Sequence, residues 1–377
     1  MSTGATVSIG VIGLGNMGMA HAKNIADGKV PGLTLAAVAS RRPAHRDWCR
    51  DNWPDAAFFE SGEALIQSGA CEAVLIATQH STHPALAVEA LGRDLHVLIE
   101  KPAGVHVGQA RGMNEAAAHS RGAFAIMYNQ RANPLYQEMR RLVTGGELGR
   151  MKRVNWIITD WYRTQSYYDS AAWRSHWAEE GGGVLLNQSP HQLDLLQWIC
   201  GMPDRVRAFC HSGKWHDIEV EDDVTAYLEY PGGATGVFVT STADAPGTNR
   251  FEVTMEGGKL LCEHGKLTIW RLAQNERDFC KTAPGGFDTP PAVQEEYQAP
   301  PSQEHVGILK AFAAHILRGE PLIAAGQEGL HGLELANAMY LSSWLGQTVT
   351  LPLDEKLYLR ELNKRMEPSR AKQRQGK

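Results

Sequence analysis

Two short stretches of this chain carry side chains suited to moving a proton at a carbon-bound oxygen. The first is Glu100-Lys101-Pro102, which follows the apolar run 95–99. The second is the segment Gly181-Gly182-Gly183-Val184-Leu185-Leu186-Asn187-Gln188-Ser189-Pro190-His191, with Asp194 three residues further on. An ammonium at Lys101 hydrogen-bonds an oxygen on which charge develops, and His191, titrating near neutral pH, is the natural proton acceptor. A helix is expected over 184–199. Asn187 and His191, four apart, then share one face if the helix tolerates Pro190 in its early turns. Asp194 falls near that face and is placed to orient the imidazole. Taken singly, a strand-end lysine reads as a solvated charge and a lone histidine as a core or capping residue. A third motif changes that balance.

Residues 7–13 read as a buried strand. Gly13, Gly15 and Gly18 then spell G-x-G-x-x-G, with Asn16 and Met17 at the turn, and residues 19–26 read as the helix behind it. Strand, glycine turn and helix N-terminus together form a dinucleotide-phosphate site, in which unpaired N–H groups and the helix dipole hold the phosphates. A bound nicotinamide takes a hydride, leaving the hydroxyl proton and the developing charge to protein groups. Lys101 lies at the C-terminal end of a parallel strand, the edge where ligands bind in such sheets.

The end of the second strand selects the cofactor. Where an acid would accept from a ribose 2′-hydroxyl, the chain has Ser40-Arg41-Arg42. Guanidiniums suit a 2′-phosphate, so NADP(H) is favoured, with NAD(H) open if the arginines are solvated loop charges. In the next crossover, Thr82 reads as a helix N-cap and Pro84 as a first-turn residue. Thr78, His80 and His83 fall where ribose and nicotinamide would pass. Glu100 and Asn129 complete the expected cofactor contacts.

Around these motifs, residues 1–128 alternate apolar runs (7–12, 33–39, 73–78, 95–99, 123–127) with helical stretches, which predicts a parallel α/β sheet. A helix at 134–143 follows. Period-two segments at 151–159, 204–211, 222–230, 234–241, 250–256 and 259–270 predict an antiparallel sheet. Residues 272–302 read as a long polar loop, 303–318 and 327–345 as helices, and 348–351 as a short strand. The expected division is 1–128 for the nucleotide domain, 129–368 for a substrate-binding and oligomerisation domain, and 369–377 for a disordered tail.

Composition narrows the function. Formal net charge is −5, with 37 basic and 42 acidic residues, which argues against a nucleic-acid or anionic-membrane surface. The first basic residue is Lys23, and no apolar run reaches the length of a membrane span. Six irregularly spaced cysteines read as reduced thiols of a cytoplasmic protein rather than a disulfide or metal framework. Four of the ten tryptophans (156, 161, 173, 177) cluster with Tyr162, Tyr167 and Tyr168. Arg163, Asp169 and Arg174 interleave. Such a cluster suits a sugar ring, apolar on its faces and hydroxylated at its rim, and it equally suits a join between domains or subunits. Trp161, Tyr162, Arg163, Trp173 and Arg174 are the candidate substrate contacts, with Arg131 after the last strand of the first domain.

The glycine fingerprint, the Glu-Lys-Pro after a strand and the Gly-Gly-Gly-x-x-x-Asn-x-x-x-His segment resemble those of the glucose–fructose oxidoreductase/inositol dehydrogenase/rhizopine-catabolism (Gfo/Idh/MocA) family, over nearly the whole chain. The resemblance implies a Rossmann domain followed by an α+β domain with a large, open, mostly antiparallel sheet, often used to form dimers or tetramers. It implies catalytic roles for Lys101 and His191. Asn187 stands where many members have a catalytic aspartate, so proton transfer narrows to His191, assisted by Lys101. Three functions follow as expectations: a sugar, glycoside or cyclitol dehydrogenase; a redox-neutral lyase or glycoside-cleaving enzyme that recycles its cofactor; and a non-catalytic dinucleotide sensor.

Overall fold

The computed structural model describes residues 5–375 except Ala172. The chain folds as two compact units, one of residues 1–132 and 302–333, the other of 133–301 and 334–377.

In the first unit the apolar runs become the strands β1 (Val7–Ile12), β2 (Leu33–Ala39), β3 (Ala57–Phe59), β4 (Ala73–Ile76), β5 (His96–Ile99) and β6 (Phe124–Ile126). They form one parallel sheet in the order β3-β2-β1-β4-β5-β6. Strands buried on both faces need continuous apolar sequence, and β4 is buried at all four positions. The register matters most for the site. Ala39, Ile12, Ile76, Ile99 and Ile126 are successive partners across five strands. The residues that leave this rung (Ser40, Gly13, Ala77, Glu100 and Met127) therefore emerge along one edge. The order reverses between β1 and β4, the position at which ligands bind in open α/β sheets.

The segment 302–333 belongs to this unit, which corrects the expected assignment of 129–368 to a single second domain. Its helix Glu304–Arg318 buries Ile308, Leu309 and Phe312, and Ile126 N–H donates to Ala324 O at 3.2 Å. Amphipathic periodicity predicts that helix; which sheet covers its apolar face is a tertiary choice.

The second unit holds β7 (Met151–Ile158), β8 (Arg205–Ser212), β9 (Glu221–Glu229), β10 (Thr235–Ser241), β11 (Asn249–Met255), β12 (Gly258–Glu263), β13 (Lys266–Leu272), β14 (Ala292–Tyr297) and β15 (Val349–Thr350). These nine strands are ordered β14-β13-β12-β11-β7-β10-β9-β8-β15. Neighbours are antiparallel except β7 and β10, which run parallel. Alternation sends Val154, Trp156 and Ile158 into the core, where Trp156 stacks on Phe251 at 4.0 Å between centroids.

Four expectations change here. The run 259–270 is two strands joined at His264-Gly265, and the buried set switches across the turn from Leu260 and Cys262 to Leu267 and Ile269. The expected loop 272–302 contains a helix, Glu276–Thr282, and the edge strand β14, whose polar sequence matches its exposure. The helix expected from 184 begins only at Pro190, because residues 183–189 turn tightly. The expected tail is helical: Glu355–Gln375 continues through Ser369, which is buried and accepts Ala178 N–H at 3.2 Å. Lys372 pairs with Glu219 at 3.2 Å, so the tail's polar residues have distant partners. Gly376 and Lys377 lie outside the described residues.

The glycine turn at 181–183 is held by a buried carboxylate. Glu221 accepts Gly183 N–H at 2.8 Å, Leu185 N–H at 2.9 Å and the Tyr340 hydroxyl at 2.7 Å. A Cβ on Gly183 would lie 2.0 Å from Glu221 O, a backbone atom that cannot yield without moving β9. Gly183→Ala should therefore destabilise the fold by roughly 1–3 kcal/mol or more, the usual cost of overpacking. Denaturant melts read this directly, and an unchanged midpoint would refute the close approach.

Candidate active site

At the end of β1, Gly13 adopts a φ of +95° and donates to Ala39 O at 2.9 Å. A Cβ on Gly18 would sit 1.8 Å from Gly13 O, so helix and strand meet at a distance only glycine permits. A Cβ at Gly15 would meet nothing within 4 Å. Gly15, Asn16 and Met17 are exposed. The helix Asn16–Ala26 starts with no side-chain cap and no acidic residue in its first turn. Uncapped N–H groups at a helix start, approached by a bare backbone, fit a pyrophosphate.

Ser40, expected at the cofactor, is turned into local hydrogen bonds. It is buried, its Oγ lies 2.8 Å from His45 Nδ1, and it accepts Arg42 N–H at 3.2 Å. Arg41 and Arg42 are exposed, and neither guanidinium has an ion-pair partner among the described residues.

The turn after β4 also departs from expectation. Thr82 does not cap the following helix with its side chain; its Oγ1 lies 2.7 Å from Thr78 Oγ1 and donates to Gln79 O at 2.8 Å. Pro84 sits in the first turn of His83–Leu91 as expected. His80 is buried. His83 is wholly buried, with Nδ1 3.1 Å from Pro102 O and Nε2 3.0 Å from Thr78 O. Burial holds its pKa below the usual imidazole value, and the neutral ring has one donor for two carbonyls. His83 thus sits between the ends of β4 and β5 and has no exposed atom to offer a cofactor.

Lys101 is half-exposed and Glu100 is buried. Lys101 N–H donates to Glu100 Oε2 at 3.1 Å, and Glu100 Oε1 lies 2.7 Å from Nε2 of the fully buried His21. His21 is on the helix that starts at the glycine turn, so one buried pair joins that helix to the lysine-bearing turn. His305 packs on His21 with centroids 5.5 Å apart and has Nδ1 3.4 Å from Asn129 Nδ2. Burial lowers the His305 pKa, with Glu100 opposing it. Glu100 therefore holds the lysine turn, and Asn129 is packed inside this unit. Arg131 is also corrected: it is fully buried, ion-paired to Glu328 and 5.4 Å from the Tyr128 ring centroid, so it cannot reach a substrate. Sequence reasoning missed His21, His305 and Glu328. For His21 a signal existed, a polar residue three after Gly18 on the face turned to the sheet; for the other two, nothing local marks the partner.

In the second unit, Asn187 lies in the turn before the helix and not on it, with its N–H donating to Gly183 O at 2.9 Å. Between residues 180 and 197, Asn187 and His191 alone are not buried, so both open to the surface from an otherwise enclosed stretch. Asp194 is buried and accepts Gln197 Nε2–H at 3.0 Å. Asn187 donates inward from Nδ2 to Glu180, a buried carboxylate that sequence reasoning passed over.

The aromatic cluster divides. Trp156, Tyr168 and Trp177 are core, with the Tyr168 hydroxyl 2.7 Å from Thr242 Oγ1 and Trp177 Nε1–H donating to Glu219 O at 2.7 Å. Trp161 and Trp173 are half-buried, and Tyr162 is exposed. Arg174 lies over Tyr167 at 4.3 Å and Trp173 at 4.5 Å, and donates to the Tyr167 hydroxyl. Arg163 lies over Tyr167 at 5.1 Å. Gln188 Nε2–H donates to the same hydroxyl at 3.1 Å, which links this cluster to the turn carrying Asn187.

Among the described residues no helix is long and apolar enough to cross a membrane. Residues 7–128 match the model of an oxidoreductase family with an NAD-binding Rossmann fold, and residues 136–261 match the Gfo/Idh/MocA C-terminal domain. The rhizopine catabolism protein MocA of Rhizobium meliloti is 28% identical over 193 residues, 51% of this chain and 57% of that protein, so the chain spans little more than half the length of that relative. The scyllo-inositol 2-dehydrogenase (NAD(+)) of Bacillus subtilis is 22% identical over 92% of this chain and 96% of that protein. The WlbA dehydrogenase of Bordetella pertussis, solved in complex with NADH and UDP-GlcNAcA, superposes with a TM-score of 0.78 at 25% identity, covering 93% of this chain and all (100%) of that one. Two domain models in order, a six-stranded parallel sheet with its glycine turn and then a nine-stranded mixed sheet lead to one conclusion: the chain belongs to the Gfo/Idh/MocA family of oxidoreductases.

Proposed function

We propose that this protein is an NAD(P)-dependent dehydrogenase or reductase acting on a secondary hydroxyl or ketone of a sugar, glycoside or cyclitol. The observation that carries the reading is the rung Ala39–Ile12–Ile76–Ile99–Ile126, which delivers the glycine turn, the Arg41-Arg42 pair and Lys101 to one sheet edge. Gly13, Gly15, Asn16, Met17 and Gly18 would hold the dinucleotide phosphates. When bound, the nicotinamide supplies the hydride chemistry. Lys101 donates a hydrogen bond to the reacting oxygen and stabilises its charge. His191 takes the hydroxyl proton in oxidation and returns it in reduction. Asn187 accepts or donates a hydrogen bond without holding a proton. Relatives named for inositol dehydrogenation, and a neighbour bound to a nucleotide sugar, support a polyhydroxylated substrate. The half-exposed Trp161, Trp173 and Arg174, with Tyr162 and Arg163, are its proposed contacts.

NADP(H) is the proposed preference, supported by two exposed and unpaired guanidiniums where NAD enzymes place an acid. A homo-oligomer, dimer or tetramer, is proposed through the wide sheet, whose uncovered face exposes Ile157, Phe209 and Tyr227. The cytoplasm is the proposed compartment, in keeping with free thiols at all six cysteines.

Lys101→Ala and His191→Ala should each lower turnover about 100-fold or more, the scale of acid–base contributions, with dinucleotide affinity preserved. Nicotinamide absorbance against a panel of sugars and cyclitols measures this; near-normal rates in both variants would remove the proposed site.

Replacing both Arg41 and Arg42 with alanine should weaken NADP(H) by roughly tenfold or more, since a charge-assisted hydrogen bond contributes on the order of 1.5–3 kcal/mol. NAD(H) affinity should change little. Parallel titrations of the two cofactors decide it: equal losses, or a wild type that prefers NAD(H), would overturn the preference while leaving the dehydrogenase reading in place.

A further inference from the structure

Asn187 reaches inward as well as outward. Its Nδ2 lies 2.5 Å from Glu180 Oε1, and Glu180 Oε2 accepts Ser175 N–H at 2.8 Å. Glu180 is 2% exposed, so no bulk water substitutes for these donors. An ionised carboxylate only accepts hydrogen bonds. The amide facing it must therefore present its NH2 inward and turn its carbonyl Oδ1 the other way, an orientation assigned by the hydrogen-bond network.

We propose that Glu180 is a positioning residue for the reaction: it fixes the Asn187 amide so that the carbonyl oxygen, an uncharged acceptor, faces the substrate hydroxyl. This rests on the dehydrogenase reading above. It gives the asparagine the acceptor character of an ionised aspartate while leaving the proton to His191. An amide held the other way would present only N–H donors on that side and could not accept from a substrate hydroxyl.

The charged and titratable surroundings of Glu180 bear on when this constraint holds. Burial raises its carboxyl to about 7. The Asn187 and Ser175 hydrogen bonds and the Arg174 guanidinium act against that rise, and the Glu221 carboxylate adds to it. Above that pH the carboxylate enforces the amide orientation. Below it, a protonated carboxyl offers a donor of its own and the constraint relaxes. Glu221, the buried carboxylate under the same turn, does not share this role, because Gly183, Leu185 and Tyr340 engage it.

The test uses the full chain with Glu180→Gln, Asn187→Ala and the double variant. With whichever sugar or cyclitol of the panel the wild type turns over, Glu180→Gln should lower kcat about tenfold, leave dinucleotide affinity unchanged and flatten the pH profile of kcat near neutrality. In the Asn187→Ala background it should have no further effect; an equal loss in both backgrounds would show that Glu180 does not act through Asn187 and would overturn the proposal. A substrate-free arm follows the carboxyl C=O stretch by infrared difference titration. The Glu180 component of that band, isolated as the difference from Glu180→Gln because Glu221 titrates in the same range, should shift in Asn187→Ala and titrate at higher pH in Asn187→Asp, where two carboxylates would share one site. If no panel member is turned over but the band follows Asn187, the dehydrogenase reading fails and the pair stands. If turnover is measured and the band ignores Asn187, the pair fails and the dehydrogenase reading stands.

Discussion

The rung that runs Ala39–Ile12–Ile76–Ile99–Ile126 is the constraint on which the nucleotide side of this protein depends. Side chains of a strand alternate between faces, so a slip of one residue in any strand would send each side chain into the packing of the opposite face. Here both faces are covered, and every strand of the rung is apolar at this level. The register is therefore held by how the side chains fit the two packed faces and not by an apolar/polar alternation. Its consequence is positional: the chain leaves each of these strands at the same height. Glycine turn, arginine pair and lysine turn become neighbours although they lie far apart in sequence.

A buried polar network then stiffens that edge. Glu100 lies between its own chain's Lys101 N–H and His21, and His21 packs on His305. Buried charges, and buried polar groups generally, are costly unless paired, and removing one partner costs more than the pair contributes. That rule explains why several polar residues near the site serve the scaffold. Arg131 pairs with Glu328, Asn129 meets His305, and His83 sits between two backbone carbonyls. Each lies beside a site motif in sequence, and each faces inward. Among the expected cofactor contacts, the side chains with exposed surface are fewer: Asn16, Met17, Arg41 and Arg42, with Thr78 and Lys101 partly exposed.

The second unit uses the same device. Glu221 accepts two N–H groups of the glycine turn, and Glu180 accepts from the backbone of Ser175 and the side chain of Asn187. Burial pushes both carboxyls up to about 7. Their folded values exceed that of a free glutamate, so both keep protons that the unfolded chain releases. What they contribute to stability is full below about 4.5 and is lost as pH rises toward 7. Two carboxyls titrating near neutrality beneath a tight turn make this unit less stable in base than in weak acid.

The sequence by itself determined the α/β class, the order of a parallel sheet and then a mostly antiparallel one, and the three motifs. These signals are local: apolar periodicity, glycines at fixed spacing, a lysine at a strand end. It also marked the amphipathic helix Glu304–Arg318, because that pattern needs no partner to be read. What the tertiary structure decided was pairing. It placed 302–333 on the first sheet, continued the last helix through Ser369, and started the helix of His191 at Pro190, leaving Asn187 in a turn. It turned His83, Asn129 and Arg131 inward and brought Glu180 under Asn187. The physical reason is common to all of these. Whether a polar side chain faces a ligand or a buried partner depends on which distant segment covers it, and no local pattern records that.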